Sequence, residues 1–225
     1  MSYKSIPCSN KILLLFILLL VLGCGSNEDL GDNTNGDNQT LSKNNVLLII
    51  ADDLGLDSTV GYNIGNQKPS MPTIQKLINA GIKFNNVWSN PVCTPTRGTI
   101  LTGKYGYRTS VLKVDDVLST SEISIFKNLK NNTNYNSAFI GKWHLSGKPS
   151  DRNHPNNMGI DYYAGILGGG VSDYFNWTLS KNGQNSNVNQ YITSVFTDEA
   201  INWITSQNSS WFLCLSYNAP HTPFH

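Results

Sequence analysis

The segment Cys93-Thr94-Pro95-Thr96-Arg97 puts a thiol, a proline and a guanidinium at fixed spacing where a loop enters an expected helix. A helix opening at Pro95 or Thr96 would aim unpaired N–H groups and a positive dipole end at its first turn, which favours anions. Arg97 adds a fork of donors matched to a tetrahedral oxyanion. Cys93 is equally readable as a small buried hydrophobe. Asp52-Asp53 come directly after an apolar run. Adjacent carboxylates repel, so a buried pair asks for a hard cation such as Ca²⁺ or Mg²⁺, although a turn and helix cap would use the same residues. No Cys/His cluster has zinc spacing. Lys142 and His144 flank Trp143, so on an extended segment both face one side while Trp143 faces the core. A solvated lysine and a satisfied histidine are the plain alternative. His221 sits between Pro220 and Pro223, whose rings stiffen the backbone around it.

Strands and helices must position these groups. Residues 46–51 are continuously apolar, as in a strand buried on both faces. Residues 72–80 read as a helix, with Pro72 in its first turn and Gly81 past its end. Further strands are expected at 83–88, 137–140 and 211–217, and helices at 96–101, 121–130 and 188–206. Thr102-Gly103 reads as a helix stop. This alternation predicts an α/β layered fold with a largely parallel sheet. Ligands of open α/β sheets bind beyond the carboxyl ends of the strands. Parallel strands would therefore bring Asp52, Asp53, Cys93, Arg97, Lys142, His144 and His221 to one edge. Residues 162–189 give no clear pattern; Asp161, Tyr162, Ser172, Asp173 and Tyr174 are candidates for a rim.

The N-terminus has a different character. Lys4 and Lys11 precede an apolar run over 12–22, the pattern of a secretion signal too short for a comfortable membrane span. Val21-Leu22-Gly23-Cys24 resembles a bacterial lipobox. The expectation is a signal over 1–23, lipidation of Cys24, and an exported lipoprotein anchored in the cell envelope; an uncleaved signal anchor is the alternative. Residues 24–44, rich in Gly, Asn, Asp and Ser, read as a flexible tether. Residues 45–225 then form one domain. The net charge of +1 gives no electrostatic footprint for nucleic acid. Of four cysteines, Cys8 would leave with the signal and Cys24 carry lipid. Cys93 and Cys214 alone make no disulfide framework.

Taken together, these segments closely resemble the sulfatases, formylglycine-dependent members of the alkaline-phosphatase superfamily. Residues 45–53 look like their first metal-binding strand. Cys93 to Arg97 match their Cys-x-Pro-x-Arg core, with Leu101-Thr102-Gly103 at the downstream offset. Gly141 to Leu145 look like a second signature, and Ala219 to Phe224 like a substrate-histidine segment. Thr96 stands where serine or alanine is common. The resemblance implies an alkaline-phosphatase-like α/β/α sandwich and sulfate-ester hydrolysis, of arylsulfatase type. A formylglycine hydrate made from Cys93 by a maturation enzyme would attack sulfur, and sulfate would leave as the aldehyde re-forms. Asp52, Asp53 and residue 93 would ligate a divalent cation, Ca²⁺ or Mg²⁺. Arg97 would support residue 93, Lys142 and His221 would contact the sulfate or leaving oxygen, and His144 would be the base. A second lysine and an Asp-Asn or Asp-Gln pair are expected beyond His225, so the chain reads as a fragment with its C-terminal part missing and little activity alone. Sulfated polysaccharides or aryl sulfates are the expected substrates. The rivals are a phosphate or phosphonate esterase of the same superfamily and a non-catalytic lipoprotein binding sulfated glycans.

Overall fold

A computed structural model describes residues 44–224. The expected signal, tether and Cys24 lipidation site fall outside them. Six strands form one sheet in the order β1-β6-β2-β3-β4-β5. They are β1 (Val46–Asp52), β2 (Asn136–Lys142), β3 (Tyr162–Ile166), β4 (Trp177–Lys181), β5 (Gln184–Val188) and β6 (Trp211–Pro220). Strands β1, β6, β2 and β3 run parallel, and the β4–β5 hairpin adds an antiparallel edge. The helices are α1 (Pro72–Ala80), α2 (Cys93–Thr102), α3 (Gly106–Thr109), α4 (Ile125–Asn132), α5 (His154–Asn157) and α6 (Ile192–Thr205).

Alternation along the central strands builds two cores. Phe139, Tyr163, Phe212 and Cys214 face one side and pack with Leu101 of α2 and Phe126 of α4. Ala138, Ile140, Leu213 and Leu215 face the other and meet Ile192, Phe196, Ala200 and Trp203 of α6. The result is the expected α/β/α sandwich. Each large apolar side chain fully buried here contributes about 1.5–3 kcal/mol.

Several expected boundaries move. Helix α2 begins at Cys93, earlier than Pro95, because a proline in the first turn removes only an N–H that lacks a helical partner anyway. It ends at Gly103, left-handed at φ 65°, as expected. Helix α4 starts after Ser124, whose hydroxyl accepts from the Lys127 N–H and so caps it there. Val188 belongs to β5 rather than to the next helix. Residues 83–88 form no strand, and Phe84, Val87 and Trp88 are exposed. Their pattern suits a strand, but none among the described residues pairs with them, and a strand without a partner is not stable. Strand β1 forms as expected but is not buried on both faces: it is an edge of the described sheet, paired only with β6, and Val46, Leu47 and Ile49 are exposed.

One buried histidine belongs to the fold. The Trp143 indole N–H donates to His154 Nδ1 at 3.1 Å, and His154 Nε2 donates to the Leu118 carbonyl at 2.8 Å. That pairing requires neutral imidazole. Burial, the dominant cause, lowers the His154 pKa below its ordinary 6.5, against the Leu118 hydrogen bond and Asp151, which raise it. As pH falls, the unfolded chain therefore takes up the proton first. His154 contributes stability that is complete above about pH 6.5 and lost as pH falls through the folded value. We expect the drop in urea midpoint between pH 7.5 and 5 to be smaller in His154→Gln than in the parent. Equal drops would refute the assignment.

Candidate active site

The carboxyl ends of β1, β2 and β6 lie at one sheet edge, because those strands are parallel and adjacent. Helix α2 opens at the same edge. Asp52, Asp53, Cys93 and Arg97 line one cavity of about 340 Å³ there.

Asp52 is buried at the end of β1 between two buried cations. Arg97 Nη2 lies 3.2 Å from its Oδ1, and Lys142 Nζ pairs with its Oδ2. Arg97 Nη1 also donates to the Lys142 carbonyl at 2.5 Å and to Ser216 Oγ at 2.7 Å. Arg97 thus ties three strand ends together. Its Nε–H is buried with no hydrogen-bond partner among the described residues. Lys142 is fully buried and committed to Asp52, not a solvated lysine.

Cys93 Sγ lies 3.2 Å from His144 Nδ1, and His144 Nε2 lies 2.9 Å from Asp115 Oδ1. The carboxylate requires a proton on Nε2, which leaves Nδ1 as the acceptor facing residue 93. Burial lowers the His144 pKa most, while the Asp115 hydrogen bond opposes that; Lys142 and Arg97 lower it further. His144 therefore holds the unprotonated form of a base near neutrality. Trp143 points the other way, edge-on to Phe139 at 5.1 Å, as the alternation predicted.

His221 enters through β6. Its Nδ1 donates to the Thr222 carbonyl at 2.7 Å, so Nε2 faces Asp53 Oδ2 at 3.8 Å. Asp53 is exposed, and its side chain lines a second cavity with His221. Asp53, Asp115 and His144 all have left-handed backbones, at φ 64°, 66° and 55°. Non-glycine residues adopt that region at a cost, and such strain concentrates at functional sites.

The structure thus assembles all seven candidate residues at one edge. Sequence reasoning missed Asp115 and Ser216. Asp115 lies in a loop with no motif around it; Ser216 was visible as a lone hydroxyl inside an apolar strand. Two rim candidates are overturned. Asp161 bonds Ser137 Oγ at 2.7 Å and Lys130 at 3.0 Å, and Tyr162 hydrogen-bonds Glu199. Both sit at the start of β3, at the sheet edge opposite the site. Tyr174 is buried and donates to the His221 carbonyl at 2.5 Å, so it supports the site from below. Asp173 accepts from the Phe175 N–H at 2.7 Å within a turn.

A family model described as Sulfatase matches residues 44–225. The chain belongs to the sulfatase family. It is 27% identical over 249 residues to the uncharacterized sulfatase YdeN of Escherichia coli, covering 88% of this chain and 44% of that protein. The N-acetylglucosamine-6-O-sulfatase of Bacteroides thetaiotaomicron is 28% identical, with 79% of this chain and 30% of that protein covered. Among solved structures, Ps i-CgsB in complex with k-i-k-neocarrahexaose superposes with TM-score 0.68 at 30% identity, over 81% of this chain and 46% of that one. The chain therefore spans less than half the length of these relatives. The fold is the alkaline-phosphatase-like fold of the sulfatases.

The family implies a metal and formylglycine in general. The donors here suit a hard cation, since Asp52 and Asp53 offer oxygen and no zinc-type cluster is present among the described residues. The described residues hold no ready group of three or more His, Cys, Asp or Glu placed for a metal, and both Asp52 oxygens are paired with Arg97 and Lys142, whereas Ca²⁺ takes about 6–8 oxygens. Further positions would fall to other oxygen donors.

Glycine at 169 is forced by the base. A Cβ there would lie 2.5 Å from His144 Cε1 and 2.7 Å from Nε2. In Gly169→Ala the ring must shift off Asp115. Misplacement by about 1 Å costs on the order of 100-fold, so we expect turnover by the mature full-length sulfatase to fall by that order. An unchanged kcat would refute the packing argument.

Proposed function

We propose that this chain carries most of the catalytic centre of an exported sulfuric ester hydrolase acting on sulfated carbohydrate, with residue 93 working as formylglycine. The observation that carries the reading is the relay Asp115–His144–residue 93, beside the two cations paired to Asp52. Asp115 holds Nε2–H, so Nδ1 is aimed to take a proton from the side chain at position 93. When present, a formylglycine hydrate supplies the attacking hydroxyl and a Ca²⁺ or Mg²⁺ ion polarises the sulfate. Asp52 and Asp53 would hold that cation. Their two negative charges are balanced by Arg97 and Lys142, so a divalent ion would leave the cavity net positive and attractive to a sulfate anion. Arg97 keeps the strand ends in register, and Lys142, paired with Asp52 in this structure, would reach a sulfate oxygen only once a cation took over that carboxylate. His221 Nε2, beside Asp53 at 3.8 Å, would face the leaving oxygen.

Support for a carbohydrate substrate comes from the relatives, one of which is an N-acetylglucosamine-6-O-sulfatase. A lipid-anchored enzyme on Cys24, matured before or during export, would suit scavenging of sulfated polysaccharides. The test is to produce the full-length protein with its maturation enzyme, map the Cys93 peptide by mass, and compare 4-nitrophenyl sulfate with 4-nitrophenyl phosphate. Loss of the thiol and preference for the sulfate are expected. An intact Cys93 thiol with no sulfate turnover would defeat the proposal, and preference for phosphate would favour the esterase.

A further inference from the structure

We propose that a cavity of about 470 Å³ beside the catalytic centre binds an uncharged sugar unit, the neighbour of the sulfated one in an oligosaccharide. This rests on the sulfatase reading and goes beyond it by naming what flanks the sulfate. The cavity lies between the Gly168–Val171 loop and the β4–β5 hairpin. One side of that loop is the catalytic centre itself: position 169 touches the His144 ring, and a Cβ at Gly170 would lie 3.6 Å from the His221 ring. The other side opens into the cavity. A ligand spanning both would place adjoining units within one loop's width of the base.

The lining defines the ligand class. Ser172, Asn176, Thr178, Ser180, Asn185 and Asn187 contribute hydroxyls and carboxamides, and none of the residues lining the cavity is charged. The nearest lysine on the hairpin, Lys181, is paired with Glu199 at 2.7 Å. A second sulfate or a uronate would find no cation there and would lose hydration without an ion pair. Neutral sugar hydroxyls both donate and accept, as do carboxamides and hydroxyls. The independent sign of a ligand is Ser180. It is only 3% exposed, it lines the cavity, and its Oγ has no hydrogen-bond partner among the described residues. Buried hydroxyls are seldom left so, because each unmade bond costs about 1–3 kcal/mol.

The experiment titrates the full-length protein, by calorimetry, with neutral hexaoses of galactose, N-acetylglucosamine and mannose. Asn185→Ala/Asn187→Ala is the test variant. Both residues are exposed on the hairpin, so the fold should survive, which circular dichroism checks. At least one neutral hexaose should bind, and the variant should lose roughly tenfold or more of its affinity. Turnover of 4-nitrophenyl sulfate, which lacks the second sugar, should be unchanged. No binding of any neutral hexaose, or binding indifferent to the variant, overturns the subsite even if aryl sulfate is hydrolysed. Absence of aryl sulfate turnover in mature wild type overturns the parent reading instead.

Discussion

Asp52→Ala will remove most of the stability of the folded domain. The carboxylate is the only anion between Arg97 and Lys142 in the described contacts, and all three side chains are buried. Deleting it leaves two uncompensated cations in a low-dielectric site. Breaking a single buried pair typically costs about 3–5 kcal/mol, and here one residue serves two. Whole domains have about 5–15 kcal/mol in hand. Urea unfolding in the presence of a chelator, so that no divalent ion can bind, is the measurement. A loss below about 1 kcal/mol would show that Asp52 is not the hub. Adding Lys142→Met to Asp52→Ala should recover part of the loss, since apolar groups can replace a buried ion pair. Asp52→Asn should fall between, because the carboxamide keeps one acceptor but no charge.

The opposite profile is expected for Cys93→Ala. The side chain is only half-buried, and its one polar contact among the described residues is to His144 Nδ1 at 3.2 Å. Stability should stay within about 1 kcal/mol of the parent. Sulfate-ester turnover by the mature full-length protein should fall by about four orders of magnitude or more, the scale of removing a nucleophile. Retained turnover in this variant would sink the assignment. Cys214 provides an internal control. It is buried, and burial pushes its thiol up to about 12, so it should resist alkylation at neutral pH. Unmodified Cys93 should label, and formylglycine at that position should not.

The convergence at the strand ends was legible because it needs only apolar runs and the polar residues at their carboxyl ends. Val46 to Ala51 and Trp211 to Tyr217 announce parallel strands, Asp52 follows the first directly and His221 lies four residues past the second, although only the second strand is buried. The hairpin was not legible that way. Gln184–Val188 is polar and exposed on nearly every residue, so it carries no hydrophobic period. Its signal was local: Asn182-Gly183, both with positive φ, is a tight hairpin turn. The expectation at residues 83–88 went wrong for the converse reason. A period can show that a segment suits a strand, but pairing decides whether it becomes one. Asp115 illustrates a further limit. Its role depends on an imidazole 29 positions away in sequence, and only the folded chain brings them together.

The glycine strip at 168–170 is a party wall, with the imidazole on one side and the sugar cavity on the other. Laboratory selection for new glycan preferences would meet this asymmetry at once. Substitutions on the wall disturb proton transfer and recognition together, whereas those at Asn185 and Asn187 can alter recognition alone. Libraries confined to the hairpin should therefore yield enzymes that exchange one sugar for another while keeping their rate on a minimal aryl sulfate.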